Sequence, residues 1–376
     1  MKIVYCTAQI DSPGGLDRVV ILKANYLIEM GYDVTIITTD QKSRSNFYNL
    51  NPNVHRYNLN INYGDNRERF FILKLVHYFL NKKKHRVRLK KILESIKADV
   101  VVSTFGNEMP HILKIKDGSK KILEIHNSWD SIIINRRKGF IKLIDIIQER
   151  CIIKRVRLFD KFIVLTKEDQ LTWEKLGVEN TRVIYNPRTF EYLEPALLDS
   201  KQVIAIGRLQ KEKGFDQLIR LWEKIHSVCP DWKLHIYGDG PLRESLQMMI
   251  NKTAARNTIT LKGVVKDIQE VIKDYSLLVM TSIYEGLPMV LLEAQSAGLP
   301  ILAYSFPCGP KDVVESGVDG YVVPNGDEIE FVNMAEKIMN NGDMRKSMGK
   351  RAYQNSSRFS VDVIMNQWKE LFDSLR

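Results

Sequence analysis

Residues 277–304 read LLVMTSIYEGLPMVLLEAQSAGLPILAY, and this stretch predicts the class of fold. An apolar run at 277–280 indicates a buried strand, and a loop follows it. Pro288 suits the first turn of a helix, and a second apolar strand follows at 300–304. A strand, a loop, a helix and a strand in this order form the repeating unit of a parallel sheet, in which ligands bind at the carboxyl ends of the strands. The loop before Pro288 is therefore predicted to face a ligand.

Two glutamates, Glu285 and Glu293, lie on either side of the predicted start of this helix. Gly286 lets the backbone approach a ligand, and the free amides of Gly286 and Leu287 favour an anion in front of the helix. Glu293 lies roughly 7.5 Å further along the helix axis. One carboxylate on each side of a diphosphate suits a nucleoside diphosphate sugar, because a carboxylate can accept two ribose hydroxyls. The alternative is that Glu293 pairs on an exposed helix face and Glu285 lies on a loop surface.

The composition is that of a soluble globular protein with two domains, at 376 residues, 44% hydrophobic and 27% charged. The cysteines, at positions 6, 151, 229 and 308, form no CxxC pair, which argues against a zinc site or a disulfide framework and fits a reducing cytoplasm. The apolar N-terminus lacks the features of a signal peptide and is interpreted as a first strand. No run of 18 apolar residues predicts a membrane-spanning helix.

The net charge of +11 is concentrated in one half of the chain. Residues 1–185 carry 33 basic and 20 acidic residues, a net charge of +13, whereas residues 186–376 carry 23 and 25, a net charge of −2. Ten basic residues and one acidic residue lie among apolar ones at 67–91, and further basic clusters lie at 136–142 and 150–157. We expect this half to contact an anionic membrane surface. The alternative is a core helix with a solvated basic end.

Strand and helix patterns alternate along the whole chain, which predicts an α/β protein of parallel sheets with helices on both faces. The predicted strands of the first half are 2–8, 33–38, 99–103, 121–125 and 161–165, and its predicted helices are 19–30, 88–96 and 140–158. The predicted strands of the second half are 202–207, 233–238, 258–262, 277–281 and 300–304, and its predicted helices are 215–228, 241–252 and 268–275, besides the one that begins near Pro288.

The polar, interrupted stretch at 183–199 is the predicted linker between two domains. We therefore predict an N-terminal Rossmann-like domain at 1–185 and a C-terminal Rossmann-like domain at 186–358, which face each other across a cleft. The amphipathic C-terminal stretch, within 359–376, is expected to return to the N-terminal domain.

Three further features follow predicted strands. Gly14 and Gly15 let the backbone approach a bound group, or form a plain turn. Arg208 and Lys213 can hold a diphosphate without a metal, or form a charged surface turn. His126 either holds a sugar hydroxyl and shuttles a proton, or is structural. The sequence also lacks the Asp-x-Asp pattern that carries a divalent ion in many nucleotide-sugar enzymes, so no metal and no other cofactor is expected.

With these residues, the chain resembles the retaining glycosyltransferases of family four, which have the GT-B fold, over essentially its whole length. The resemblance rests on the Gly14-Gly15 turn, His126 and five further stretches: GRLQKEKG at 207–214, YGDGP at 237–241, LKG at 261–263, EGLPMVLLEA at 285–294 and GVDGYVVP at 317–324. The block FPCGPKDVV at 306–314 is similar to that of bacterial capsule, O-antigen and related surface-polysaccharide transferases.

The resemblance implies that the C-terminal half binds the nucleotide sugar. Glu293 would hold the ribose hydroxyls, and Glu285 would hold hydroxyls of the donor sugar and take part in catalysis. The remaining donor-binding residues that it implies are Gly15, Arg208, Lys213, Gly286 and Leu287 for the diphosphate and the backbone of Val264 for the base.

The resemblance also implies that the N-terminal half holds the acceptor, through Gly14, Gly15 and His126, with His126 as a catalytic residue beside the reacting carbon. The implied function is retaining, metal-independent transfer of a hexose or an N-acetylhexosamine from a UDP sugar. The implied acceptor is a lipid-linked sugar or a polysaccharide at the inner face of the membrane, where the protein would be cytoplasmic and peripherally bound.

Two other functions remain open at this point. A nucleotide-sugar epimerase of the GT-B fold would share the cleft, but it would need its own acid and base residues. A nucleic-acid-binding protein is permitted by the pI of 9.3, but the sequence contains no recognised nucleic-acid motif, and no nucleic-acid partner is expected.

Overall fold

The computed structural model describes residues 1–42, 44–66, 71–137, 139, 141–265 and 267–376. Within these residues the chain forms two parallel sheets joined by an irregular segment at 184–201. The fold class predicted from the alternating strands and helices, an α/β protein with two Rossmann-like parallel-sheet halves, is confirmed.

The described N-terminal strands are β1 Lys2–Thr7, β2 Asp33–Thr38, β3 His55–Asn58, β4 Val100–Ser103, β5 Lys120–Glu124, β6 Lys161–Val164 and β7 Thr181–Val183. They are hydrogen-bonded in the order β3-β2-β1-β4-β5-β6-β7. The helices of this half are α1 Gly15–Glu29, α2 Phe71–Ile96, α3 Met109–Ile112, α4 Trp129–Ile134, α5 Ile141–Val156 and α6 Lys167–Lys175.

The described C-terminal strands are β8 Gln202–Ile206, β9 Lys233–Tyr237, β10 Ile259–Gly263, β11 Leu277–Met280, β12 Ile301–Tyr304 and β13 Gly320–Val323, in the order β10-β9-β8-β11-β12-β13. The helices that follow the linker are α7 Phe215–Val228, α8 Arg243–Lys252, α9 Ile268–Ile272, α10 Met289–Ser296, α11 Pro310–Val313, α12 Glu328–Asn340, α13 Gly342–Asn355 and α14 Val361–Asp373.

Both faces of each sheet are buried, as β1 shows. Val4 and Cys6 enter the core on one face of the N-terminal sheet, and Ile3 and Tyr5 enter the core on the other. Successive side chains of a strand point to opposite faces, so a strand buried on both faces reads as a continuous apolar run. The last helix, α14, completes the second of these cores, since Trp368 and its apolar neighbours pack there against α1 and β1.

Several predicted boundaries are wrong, and several elements were missed. Helix α2 is far longer than the predicted 88–96, because its first turns carry exposed apolar side chains that hide the helical period. The predicted basic stretch begins at 67, and residues 67–70 lie outside the described residues. The short strands β3 and β7 were missed because they lack the apolar run of the central strands.

The part of the chain that the structure describes contains no candidate for a membrane-spanning helix or for a metal site. No helix there is long and apolar enough to cross a bilayer. No group of three or more histidine, cysteine, aspartate or glutamate side chains there is arranged to hold a metal ion.

Candidate active site

The two sheets approach each other at their carboxyl ends, at the loop between β11 and α10. Gly286 in this loop lies against the backbone that follows β5: a Cβ atom on Gly286 would lie 2.0 Å from the carbonyl oxygen of His126. Gly15, at the start of α1, lies against α10, where a Cβ atom would lie 3.2 Å from Cγ of Met289. These glycines were predicted to let a ligand approach the backbone, and the structure shows that they let the two domains approach each other.

Helix α10 begins at Met289, and Pro288 is its extended N-cap residue, with φ −67° and ψ 108°. The prediction that Pro288 lies in the first turn is therefore wrong by one residue, because its ψ is not helical. The amides of Gly286 and Leu287 have no hydrogen-bond partner among the described residues, whereas the Leu287 side chain is buried in the core. The loop thus presents free donors at the N-terminal end of the helix dipole.

Glu293 is buried rather than on an exposed helix face. Its Oε1 accepts hydrogen bonds from Arg18 Nη1 at 2.9 Å and from Thr189 Oγ1 at 3.0 Å. Burial raises the pKa of Glu293, and Arg18 and Thr189 offset part of that rise. The alternative in which Glu293 is a surface residue is wrong. Arg18, the partner of Glu293, belongs to α1. Its guanidinium reaches across the cleft and lies over the rings of Tyr48 and Phe190.

Glu285 and Lys213 form an ion pair, with 2.5 Å between Oε1 and Nζ. Ser282 Oγ donates to the same carboxylate oxygen at 2.9 Å. The resemblance implied separate roles, Glu285 on the donor sugar and Lys213 on the diphosphate. In the structure the two side chains hold each other, so the charge of either one is already partly neutralised before any ligand binds.

Arg208 and Val264 follow β8 and β10, respectively. The exposed guanidinium of Arg208 makes no hydrogen bond or ion pair with any residue that the structure describes. Val264 is 68% exposed, and position 266, two residues further along the chain, lies outside the described residues. No hydrogen bond or ion pair within the described chain joins Arg208 or Val264 to the two glutamates.

His126 lies immediately beyond β5, with its ring largely buried. Its Nε2 lies 3.2 Å from Oε1 of Glu124. Burial alone would raise the pKa of Glu124, but Lys23 and His126 together lower it to about 2. Gly14 precedes α1 as its N-cap residue, and its amide already donates to Ser12 Oγ at 3.3 Å.

Four residues that contact the predicted site were missed by the sequence analysis: Arg18, Thr189, Lys23 and Glu124. Arg18 had a usable signal, because it lies three residues beyond Gly15 and therefore faces the same side of α1. Thr189 lies in the irregular linker, where no periodic pattern indicates which side chains turn inward. Lys23 and Glu124 lie within apolar segments, where a single charged residue gives no indication of its partner.

Each half of the chain matches a family model. Residues 13–189 match the model described as Glycosyltransferase Family 4, and residues 194–355 match the model described as Glycosyl transferases group 1. An uncharacterized glycosyltransferase of Haemophilus influenzae is 26% identical over 373 residues, which cover 98% of this chain and 99% of that protein.

A second full-length relative comes from Campylobacter jejuni and is named GalNAc-alpha-(1->4)-GalNAc-alpha-(1->3)-diNAcBac-PP-undecaprenol alpha-1,4-N-acetyl-D-galactosaminyltransferase. It is 25% identical over 381 residues, which cover 100% of this chain and 99% of that protein. Among solved structures, a mutant of Staphylococcus aureus TarM in complex with fondaparinux, alpha-GlcNAc-glycerol and UDP is 18% identical, has a TM-score of 0.80, and matches over 99% of both chains. With both halves matched and the GT-B fold present over its whole length, the chain belongs to the family 4 glycosyltransferases.

Proposed function

We propose that this protein is a retaining, metal-independent glycosyltransferase that moves a hexose or an N-acetylhexosamine from a UDP sugar to a lipid-linked or polysaccharide acceptor during assembly of a surface glycan. The names of the relatives support the class of reaction, and the carrier in the name of the Campylobacter jejuni relative supports a lipid-linked acceptor. The UDP in the TarM complex supports the choice of nucleotide. The epimerase and the nucleic-acid-binding protein find no support in these comparisons.

The observation that carries the proposal is the contact of Gly286 with His126. It places the free amides in front of α10 next to the histidine of the other domain. A diphosphate bound by those amides would therefore lie beside His126, at the end of a sheet where ligands of parallel folds bind. Glu293, one turn inside α10, is then in place to accept the ribose hydroxyls.

The charges at this end of the cleft support metal independence, and retention is proposed from the family resemblance. Lys213, Arg208 and the amides before α10 supply positive charge to the departing diphosphate, the role that a divalent ion has in other enzymes. In this mechanism the bond between the anomeric carbon and the diphosphate oxygen breaks, and the acceptor oxygen bonds to the same face of the carbon. The acceptor proton passes to the departing diphosphate oxygen.

The decisive experiment is transfer by the purified protein from a panel of UDP sugars to undecaprenyl-diphosphate-linked sugars, with and without EDTA. We expect transfer from at least one donor, a product with the anomeric configuration of the donor, and no loss of rate in EDTA. In the same assay Glu293→Ala should lose UDP binding, while Glu370→Ala, which removes an exposed carboxylate from α14, should not. Inversion, or undiminished UDP binding by Glu293→Ala, would contradict the proposal.

The outer face of α2 supports contact with an anionic membrane. At 100° per residue, this face combines apolar side chains that are each more than half exposed with lysines. The apolar ones are Leu73, Val76, Leu80 and Val87, and the lysines are Lys83, Lys84, Lys90 and Lys91. The opposite face, with His85, Leu89 and Leu93, is buried in the N-terminal domain. An amphipathic helix of this kind binds at the boundary between headgroups and acyl chains.

Membrane binding is tested by sedimentation with vesicles of phosphatidylcholine alone or with phosphatidylglycerol. We expect binding to the anionic vesicles only, and loss of about 1 kcal/mol for each lysine that is removed from the face. Leu80→Ser/Val87→Ser should weaken binding, whereas Ile329→Ser, which changes an even more exposed apolar residue of the C-terminal half, should not. Equal recovery with neutral and anionic vesicles would exclude this surface.

A further inference from the structure

Behind His126, a lysine and a glutamate are sealed in the core of the N-terminal domain. Lys23 of α1 and Glu124 of β5 are both fully buried, and Lys23 Nζ contacts Glu124 Oε1. Removing two charges from water costs more than an apolar pair of similar size would, so filling the core does not explain this pair. Glu124 is also two residues before His126 on the same strand end, which links the pair to the candidate site.

Lys23 keeps the carboxyl group of Glu124 ionised. A buried carboxyl group without a counter-charge takes up a proton, and then it donates from one oxygen instead of accepting. The other groups that face the pair are Tyr5 of β1 and Trp368 of α14. Burial and the Glu124 charge raise the pKa of Tyr5, so this residue stays neutral, and the Lys23 ammonium lies 4.1 Å from the centre of the Trp368 ring. The ammonium is thus held from one side by a carboxylate and from the other by an aromatic face.

An ionised Glu124 determines which nitrogen of His126 carries a proton. A carboxylate offers only lone pairs, and a lone pair on Nε2 at 3.2 Å from Oε1 would be repelled, so a proton on Nε2 is favoured although the two atoms are not aligned as a hydrogen bond. In the neutral ring the lone pair is then on Nδ1. A carboxylate behind a histidine fixes the tautomer and the ring orientation in this way in many active sites.

We propose that Lys23 and Glu124 are positioning residues that fix the tautomer and orientation of His126, with Trp368 of α14 holding the Lys23 ammonium in place. The inference rests on the proposed function insofar as it places His126 beside the reacting carbon. It adds that helix α14 contacts Lys23, the residue that holds the Glu124 carboxylate behind His126.

The test uses the double variant Lys23→Met/Glu124→Met, because replacing both members of a buried ion pair leaves no unpaired charge and preserves the fold. We expect kcat to fall about 10- to 100-fold while the Kd for UDP stays unchanged. In a His126→Ala background the same double substitution should change kcat less than twofold. The matched control is Lys121→Met/Asp117→Asn, which removes another buried pair of this domain at the amino end of β5 and should leave kcat within twofold.

A second readout does not depend on any donor or acceptor. The ¹⁵N spectrum of the histidine rings, with the His126 signals identified from His126→Ala, should show the Nε2-protonated tautomer in the wild-type protein and lose that pattern in Glu124→Gln and Glu124→Met. Equal loss of kcat with and without His126, or an unchanged tautomer in both Glu124 variants, would show that the pair only joins α1 to β5. If the wild-type protein transfers no sugar, the proposed function fails while the ring spectrum still decides this inference.

Discussion

On the C-terminal side of the cleft the two candidate glutamates and the free amides lie in one short stretch of chain, whereas the groups around His126 on the N-terminal side lie far apart in the sequence. Glu285, Gly286 and Glu293 lie within one loop and the helix that follows it. On the opposite side, Glu124 lies behind His126 and contacts Lys23 of α1, and the Lys23 ammonium lies over the ring of Trp368 near the end of the chain. The first side leaves the amides of the loop and the guanidinium of Arg208 free for a ligand, and the second side buries the charges of Lys23 and Glu124 behind one imidazole.

This difference indicates which measured property should change when a residue on either side is replaced. Loop groups on the C-terminal side act on a ligand directly, so their loss should appear in binding. Buried groups on the N-terminal side act through another residue, so their loss should appear in the rate or in the stability. Measurements of binding, rate and stability therefore separate the two sides.

The largest effect is expected at Asp169, a buried residue of α6 that accepts hydrogen bonds from the Trp129 amide and the Trp173 indole. Burial raises the pKa of Asp169 from 3.8 to about 6. The folded state therefore binds this proton more tightly than the unfolded state does. Its stabilising contribution is present below about pH 4 and is lost as the pH rises through 6, and the difference corresponds to about 3 kcal/mol.

Urea unfolding of the wild-type protein and Asp169→Asn between pH 4 and pH 7 measures this contribution. The stability of the wild-type protein relative to the variant should fall as the pH rises. Asp145→Asn provides a control of opposite sign, because the hydrogen bonds from Arg137 lower the pKa of Asp145. A difference between the wild-type protein and Asp169→Asn that does not change with pH would show that burial does not shift the pKa of Asp169.

The second effect concerns the contact between the sides. In Gly286→Ala the new Cβ atom would lie 2.0 Å from the His126 carbonyl oxygen, so the loop and the strand end must move apart. A displacement of about 1 Å at reacting groups costs about 100-fold, and we expect kcat/KM to fall by this factor with the fold retained. Gly64→Ala, at a position with open space around the glycine, is the matched control. Equal activity of the two variants would mean that the cleft works in a more open arrangement.

The same contrast explains which parts of the molecule the sequence predicts. The central apolar strands and the α10 unit depend on apolar runs and on glycine and proline within about ten residues, and these are readable along the chain. Arg18 on Glu293, Lys213 on Glu285 and Lys23 on Glu124 join residues up to 275 positions apart. Such pairs depend on how the domains pack, for which a single sequence carries no periodic signal. The sequence therefore offers candidate site residues, but it does not show that Arg18 pairs with Glu293 or that Lys23 pairs with Glu124.

The third effect tests the bond across the cleft. Arg18→Ala removes the counter-charge of the buried Glu293 and should raise the pKa of that carboxyl group further, which weakens it as an acceptor for ribose. We expect the Kd for UDP to rise about tenfold, corresponding to about 1.4 kcal/mol, and Arg18→Lys to recover part of it. Isothermal titration calorimetry with UDP measures both variants. Tighter binding by Arg18→Ala would show instead that the guanidinium competes with the ribose for Glu293.

The smallest effect is expected where α14 meets the N-terminal domain at its surface. Arg182 of β7 and Glu370 of α14 form an exposed ion pair at 3.4 Å, one turn or less from Trp368, which contacts the buried Lys23. Exposed pairs contribute little because water and salt screen them, so Arg182→Ala should change the free energy of unfolding by less than about 0.5 kcal/mol. It should leave kcat unchanged, whereas Trp368→Leu should lower kcat by removing the aromatic contact with the ammonium. If Arg182→Ala lowers kcat as much as Trp368→Leu does, any change in the packing of α14 affects His126. The contact of Trp368 with Lys23 would then have no specific role in positioning His126.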